Sequence, residues 1–434
     1  MIFLQFAVVL LAIFIGARLG GIGLGAMGGV GLAILTFGFN LEPTSPPIDV
    51  ILMILAVVTA AATLQATGGM DYLVKVAEKL LRKNPKAITF MAPFATYCFT
   101  FFAGTGHVAY SLLPVISEVA HEQKVRPERP LSIAVIASQQ AIVASPISAA
   151  TVALLGILSP YGITLPQILM VTIPATLLGI MFSAFVINKK GAELEDDPVY
   201  QKKLQEGLKL SKSKSSNDSI TKEAKLSVIF FLAAAVAIVV LGSFEQLRPS
   251  FGEDSVMSMP VTIQIVMLSV AALNLIVCKA DAEKVASGSV FRAGCIAVVA
   301  ILGIAWLGDT FFQANMDTIE PHIEGMVTTA PWIFAFALFV MSILLNSQAA
   351  TTVALMPLGL ALGISPVLLI AMFPAVNGYF FLPNYGPIIA AISFDKTGTT
   401  KIGKYVFNHS FMIPGLITII TSLALGFLFV GLFL

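Results

Sequence analysis

The chain has 434 residues, of which 57% are hydrophobic and 11% charged. Soluble globular chains carry about 25% charged residues, so this composition excludes a soluble domain of any size. The net charge of +1 also excludes a bulk electrostatic attraction to nucleic acid. Cys98, Cys278 and Cys295 lie in or beside apolar runs without zinc spacing or a disulfide framework, and read as small hydrophobes.

A spanning helix needs roughly 20 mostly apolar residues. In chain order, spans are predicted at 2–17, 22–39, 51–70, 131–158, 166–188, 226–242, 261–278, 293–311, 366–395 and 405–434. The first has no basic region before it and reads as a span, not a cleaved signal peptide. Two further apolar stretches, 87–120 and 331–360, are interrupted near their middles. Each arm is about three-quarters of the length a span needs, so both are predicted as re-entrant hairpins.

The charges agree with this path. Lys and Arg concentrate in cytoplasmic loops. Here they cluster at Lys75–Lys86, Lys124–Arg129, Lys189–Lys225, Lys279–Arg292 and Lys396–Lys404. With both hairpins returning to their own side and both termini outside, every basic residue except Arg248 faces the cytoplasm. The expected fold is thus an all-α polytopic membrane protein of ten transmembrane spans plus two re-entrant hairpins.

The path falls into two halves of one plan, 1–188 and 226–434, opposite in orientation and joined by a polar cytoplasmic linker, 189–225. Leu112-Leu113-Pro114 follows the first hairpin tip much as Leu355-Met356-Pro357 follows the second. Further on, Ser145-Pro146-Ile147-Ser148-Ala149-Ala150 corresponds to Gly386-Pro387-Ile388-Ile389-Ala390-Ala391. Two inverted repeats with broken helices are a signature of secondary transporters. In the linker, Tyr200, Leu204 and Leu208 share one helical face, expected to rest on the membrane surface.

Irregular backbone at membrane depth is tolerated where it is buried or lines a cavity. Four polar breaks stand out. The first tip carries Gly104, Thr105, Gly106 and His107, and the first broken span carries Ser145 and Ser148. The second tip carries Asn346, Ser347 and Gln348, with Thr351 one turn on. The second broken span carries Pro383, Asn384 and Tyr385. None contains Arg or Lys. Helix N-termini, hydroxyls and amides can hold carboxylates without a fixed buried cation. The same oxygens could coordinate Na+, and His107 titrates near neutrality. Small residues at these places could equally serve close helix packing.

Other signals carry less. Asp395-Lys396-Thr397-Gly398-Thr399 spells the phosphorylation motif of P-type ATPases, yet no nucleotide-binding domain accompanies it. Gly23-x-Gly25-x-x-Gly28 spells a dinucleotide fingerprint without the strand–turn–helix unit it requires. Gly21, Gly25 and Gly29 are instead expected to form a helix-packing stripe. Asp309, near the outer end of a span, reads as an interfacial carboxylate. No catalytic constellation or cofactor motif appears, so an enzyme is not expected.

Several stretches are familiar together: Gly16-Ala17-Arg18-Leu19-Gly20-Gly21, Gly104-Thr105-Gly106-His107-Val108, Arg126-Pro127-Glu128-Arg129-Pro130, Asn346-Ser347-Gln348-Ala349-Ala350 and Gly398-Thr399-Thr400-Lys401-Ile402-Gly403. In them the chain resembles, from end to end, the anaerobic C4-dicarboxylate transporter (Dcu) family of bacteria. His107 and the Arg126–Pro130 run look like its B-type, fumarate–succinate branch.

The resemblance implies exchange of fumarate, malate or aspartate for succinate across the bacterial inner membrane; the charge path, which puts both termini outside, then makes them periplasmic. It also implies kinship with the ion-transporter superfamily, whose members are typically dimers with an elevator mechanism. The scaffold would be about 1–86 and 226–311, and the transport domain about 87–188 and 331–434. The family pattern Leu-Pro-Thr-Tyr-Pro is here Leu382-Pro383-Asn384-Tyr385-Gly386-Pro387, which leaves the role of Asn384 open. A Na+- or H+-coupled dicarboxylate symporter and an ion antiporter on the same fold are the alternatives.

Overall fold

The computed structural model describes residues 1–19, 22–106, 108–206, 220–251, 256–330, 332–345, 347–383, 385–404 and 407–434. These residues are predominantly helical. Two isolated antiparallel bridges, Ser250 to Val256 and Ile402 to His409, are the only extended pairing among them.

The chain opens with α1 (Ile2–Leu19) and α2 (Gly23–Ala33), the latter prolonged by a π-helical turn over Ile34–Gly38. Next come α3 (Ile48–Ala66), α4 (Gly69–Lys83), α5 (Ile88–Ala103), α6 (Val108–Glu122), α7 (Glu128–Ala144), α8 (Ala149–Leu158) and α9 (Leu165–Ile187). The linker contributes α10 (Pro198–Gln205). After it follow α11 (Lys222–Ser243), α12 (Met259–Ile276), α13 (Ala282–Ser287), α14 (Ser289–Thr329), α15 (Trp332–Leu345) and α16 (Gln348–Ala361). Last are α17 (Pro366–Met372), a 3-10 stretch over Phe373–Phe380, α18 (Gly386–Phe394) and α19 (Met412–Phe433).

Seven stretches among the described residues have the length and apolarity to cross a bilayer, and five shorter apolar helices accompany them. Many large apolar side chains, Phe3, Phe37, Phe182 and Phe336 among them, are more than half exposed. Lipid is the solvent that tolerates such a surface. The chain is a multi-pass, all-α membrane protein.

Local chemistry sets the element ends. The span predicted at 51–70 stops at Ala66, where Gly68 takes φ +76 and the chain turns. What then reads as a basic loop is a helix, α4. It buries Leu73, Ala77 and Leu81 at spacing four and leaves its lysines and Arg82 on the other face. α9 begins with a capping box in which Thr164 and Gln167 bond reciprocally. The apolar run 131–158 is split into α7 and α8 at Ser145–Ser148. The run 366–395 is divided into α17, the 3-10 stretch and α18.

α2 and α14 pack backbone to backbone. A Cβ on Gly25 would lie 2.0 Å from the Val299 carbonyl, and one on Gly28 would lie 2.4 Å from the Gly303 carbonyl carbon. Gly31 meets Leu307 on the same side, whereas Gly29 meets nothing within 4 Å. The packing stripe is therefore Gly25, Gly28 and Gly31, not the spacing-four set expected. Gly21 lies outside the described residues.

Basic residues of four clusters, Arg82, Lys124–Arg129, Lys190–Lys203 and Lys396, lie near one another. Arg82 bridges from α4 to Glu118 (3.1 Å) and Glu122 (3.4 Å) on α6. The linker docks beside them. Arg126 binds Glu128 (2.7 Å) and Asp197, while Arg129 binds Glu193 (3.0 Å) and the carbonyls of Lys190 and Gly191. Lys203 donates to the Lys396 carbonyl at 3.0 Å. Tyr200 is buried against α6, its hydroxyl 2.8 Å from His121 Nε2. The face expected on the membrane surface thus packs, at Tyr200, on the protein itself, while Leu204 is exposed and Leu208 lies outside the described residues.

Candidate functional site

The first hairpin tip and the first helix break interlock. Gly104 ends α5 at φ +67, and a Cβ there would meet the Ile147 carbonyl at 2.8 Å. A left-handed residue in such contact with backbone must be glycine. Ser145 Oγ donates to the Phe101 carbonyl at 2.7 Å, tying the break to the tip. Ser148 caps α8, accepting from Thr151 N at 3.1 Å and donating to the Ile142 carbonyl at 2.5 Å. The second tip is built alike. Ser347 caps α16 by accepting from Ala350 N at 3.2 Å, and Thr351 Oγ1 donates to the Ser347 carbonyl at 2.8 Å.

A cavity of about 320 Å³ lies where these elements meet. Gly104, Thr105 and Gly106 line it from the first tip, with Ala149 and Ala150 from the start of α8. Ser347, Gln348 and Ala349 line it from the start of α16, and Tyr385 and Pro387 from the start of α18. Tyr110, Gln139 and Tyr379 complete its polar surface, while Val57, Ala61, Gly294 and Ala297 of α3 and α14 close it on an apolar side.

Among the described residues no lysine, arginine or carboxylate lines this cavity. Its positive potential comes from helix ends. The first N–H groups of a helix have no intrahelical partner, and each helix start carries a partial positive charge of roughly half a unit. α8, α16 and α18 all begin at the cavity wall. Such a wall can hold anionic oxygens with fixed dipoles in place of a buried cation.

The structure brings Gly104, Thr105, Gly106, Ser347, Gln348 and Tyr385 to the cavity surface. Ser145, Ser148 and Thr351 are buried behind it and are occupied in holding the breaks. Pro383 is buried in the turn before α18. His107, Asn346 and Asn384 lie outside the described residues.

A polar group that sequence reasoning missed stands beside Gln348. The two N–H groups of Gln348 Nε2 are shared among three acceptors, the Gln139 carbonyl (3.0 Å), Tyr379 Oη (3.1 Å) and Asn377 Oδ1. Asn377 Nδ2 donates to Gln140 Oε1 at 3.0 Å, and Tyr385 Oη donates to Gln139 Oε1 at 3.2 Å. A pair of glutamines inside an apolar run is the signal that could have found it, since unpartnered polar groups are costly at membrane depth.

Comparison with known proteins follows the same line. Residues 1–434 match the family described as anaerobic C4-dicarboxylate membrane transporter. The chain is 46% identical to the C4-dicarboxylate transporter DcuA of Wolinella succinogenes, over 99% of each chain. It is 46% identical to DcuA of Escherichia coli K12, over 98% of each chain. It is 41% identical to the anaerobic C4-dicarboxylate transporter DcuB of Escherichia coli O6:H1, over 99% of this chain and 98% of that one. In fold it is similar to the YdaH transporter of Alcanivorax borkumensis, with TM-score 0.53, 14% identity, and 89% and 85% of the two chains covered. The Neisseria gonorrhoeae efflux pump MtrF gives TM-score 0.53 at 14% identity, over 91% and 83%.

Proposed function

The chain belongs to the anaerobic C4-dicarboxylate membrane transporter family, and from that premise we propose that it exchanges fumarate, malate or aspartate for succinate across the bacterial inner membrane. The observation that carries this reading is the cavity. It sets a few hydroxyl and amide groups in a largely apolar lining, is free of cationic side chains among its described residues, and is bordered by three helix starts. Two carboxylates of a four-carbon chain can each take N–H groups from a different helix start.

In this proposal the two inverted halves are 1–188 and 226–434. The segments 87–188 and 331–434 form a transport domain that carries the loaded cavity past a scaffold of about 1–86 and 226–311. The ten spans and two hairpins put both termini in the periplasm and the docked linker in the cytoplasm, and two copies pair as a homodimer. Exchange of one dianion for another moves no net charge and needs no coupling ion, whereas net uptake would draw on Na+ or H+.

The test is counterflow. Purified protein is reconstituted into liposomes loaded with succinate, and labelled fumarate, malate or aspartate is supplied outside with and without Na+. The expected result is uptake that requires internal dicarboxylate and not Na+. Uptake into empty vesicles driven by a Na+ or proton gradient would replace exchange by symport. Absence of uptake for every dicarboxylate would overturn the reading.

A further inference from the structure

α4 lies at a border of the apolar layer. The span α3 ends at Ala66 and the span α11 begins at Lys222. The two ends meet where Thr67 Oγ1 donates to Ser227 Oγ at 2.7 Å. α4 starts beside them at Gly69, and the chain returns to apolar sequence at Ile88, the first residue of α5.

The residues of α4 sort onto three sides. Leu73, Ala77 and Leu81 are buried. Asp71, Glu78 and Arg82 share a second side, on which Arg82 meets Glu118 and Glu122 of α6. Tyr72, Val76, Lys79 and Lys83 follow one another at spacings of four, three and four, which sets them on a third. Lys75 stands between the second and third sides. Val76 is 44% exposed, and both Lys79 and Lys83 are exposed. Neither of these two lysines has an ion-pair partner among the described residues.

α11 continues the third side. Lys222, Lys225, Ile229, Val236 and Val240 recur on one exposed face of this span, with Val236 62% exposed. Its apolar members form a surface that lipid tails cover. Lys222 and Lys225 stand where that surface ends, and Lys225 Nζ lies 5.9 Å from the centre of the Tyr72 ring. The lysine stripe of α4 therefore prolongs a lipid-exposed face past its apolar end. Tyrosine and lysine at that level belong to the headgroup layer. The charge that complements Lys79, Lys83 and Lys225 there is an anionic headgroup.

We propose that Tyr72, Lys79, Lys83 and Lys225 form a docking site for the headgroup of an anionic phospholipid, whose acyl chains lie along Ile229 and Val236. None of these residues lines the cavity. The site holds α4, the chain's link from α3 to the first hairpin, at the bilayer surface. An acidic protein segment would match the charge but not the exposed apolar face that adjoins it.

The experiment reads lipid binding and does not depend on transport. The full chain in neutral detergent is offered phosphatidylglycerol and phosphatidylcholine with identical acyl chains, and native mass spectrometry counts the lipids retained. One lysine near an anionic surface strengthens association about fivefold, so the wild type should prefer phosphatidylglycerol by about tenfold or more. The triple variant Lys79→Gln, Lys83→Gln, Lys225→Gln should bring the ratio toward one. A variant of equal charge loss elsewhere, Lys202→Gln, Lys279→Gln, Lys284→Gln, should keep it. Added phosphatidylglycerol should raise the melting temperature of the wild type and not of the first triple variant.

A wild type without the preference overturns the proposal, as does a first triple variant that keeps it. Equal loss in both triple variants would assign the preference to overall charge and overturn the site. Glycerol phosphate, the headgroup without its tails, should not displace the lipid at matched concentration. Displacement would make this a site for free anions and overturn the proposal too.

Discussion

Gly106 has no side chain at a place where the Gln139 amide stands. A Cβ there would lie 2.6 Å from Nε2, the far end of a flexible side chain. Gly106→Ala should therefore fold, with a loss of about 1 kcal/mol or less because the amide can yield. It should still lower exchange at least tenfold, because Gln139 holds Tyr385 and lines the cavity. Thermal melting in detergent and counterflow read the two effects separately, and intact exchange with a normal melt would remove Gly106 from the site. Gly28→Ala should behave in the opposite way. Its Cβ meets the Gly303 backbone, which cannot yield, so the expected outcome is several kcal/mol of destabilisation. Gly25 was legible as a packing residue of α2, but its companions Gly28 and Gly31 were not. The run Gly23–Gly31 offers spacings of three and four at once, and only the partner helix chooses. At the cavity, Gly104, Ser347 and Tyr385 were legible because they interrupt apolar runs. Asn377 and Tyr379 sit in a 3-10 stretch that the apolar pattern does not mark. Asn377's partner Gln140 lies 237 positions away, a distance no local pattern spans.

At the scale of elements, the docked linker explains a motif that chemistry had excluded. Asp395 is 4% exposed, and its carboxylate accepts from Thr397 N (2.9 Å), Thr399 Oγ1 (2.8 Å) and Thr400 N (2.6 Å). It organises the loop after α18, and Thr399 in turn accepts from Glu128 N at 3.2 Å. The resemblance to a phosphorylation motif is a turn, and its context lies in the cytoplasmic-type charge cluster around Arg126. Asp197 is the keystone on the linker side. Burial alone would raise its carboxyl, but the Tyr200 N–H, the Arg126 guanidinium and the Val199 N–H hold it below the ordinary value. A carboxyl held low stabilises the docked state above its unfolded pKa of about 3.9 and loses that contribution as pH falls through the folded value. Tryptic cleavage at Lys202 and Lys203 should therefore be slow and flat from neutral pH to about pH 4 and rise below it, read by acid pulses followed by neutral digestion faster than redocking. Asp197→Ala should give a faster pattern at neutral pH, since it removes the Arg126 contact to the linker and the cap on the Val199 and Tyr200 N–H groups, the cap alone contributing about 1 kcal/mol, while Arg126 keeps Glu128. Cleavage unaffected by the substitution would mean the linker is held by Tyr200 and Arg129 instead.

On the scale of the whole molecule, the positions of the apolar runs and the clustering of basic residues were legible because both follow from solvent alone. How the pieces touch was not. The sequence marks α8 as half of a broken span, but it does not say that Gly156 packs on α3, where a Cβ would meet Val50 Cγ2 at 2.9 Å and Met53 Cε at 3.0 Å. That contact crosses the boundary between the proposed scaffold and the proposed transport domain. By contrast, the salt bridge from Lys124 to Glu195 at 2.6 Å lies between α7's approach and the linker docked on it. The two contacts give opposite expectations if the transport domain slides. In a background carrying Cys98→Ala, Cys278→Ala and Cys295→Ala, the pair Val50→Cys with Gly156→Cys should cross-link and arrest counterflow, with recovery on reduction. The pair Lys124→Cys with Glu195→Cys, joined by a bifunctional thiol reagent long enough to span the former ion pair, should leave counterflow running, because linker and hairpin travel together. If the first cross-link forms in full and exchange continues, α8 does not move past α3, and the cavity must open by hairpin motion alone. Arrest by the second pair and not the first would place the moving boundary at the linker.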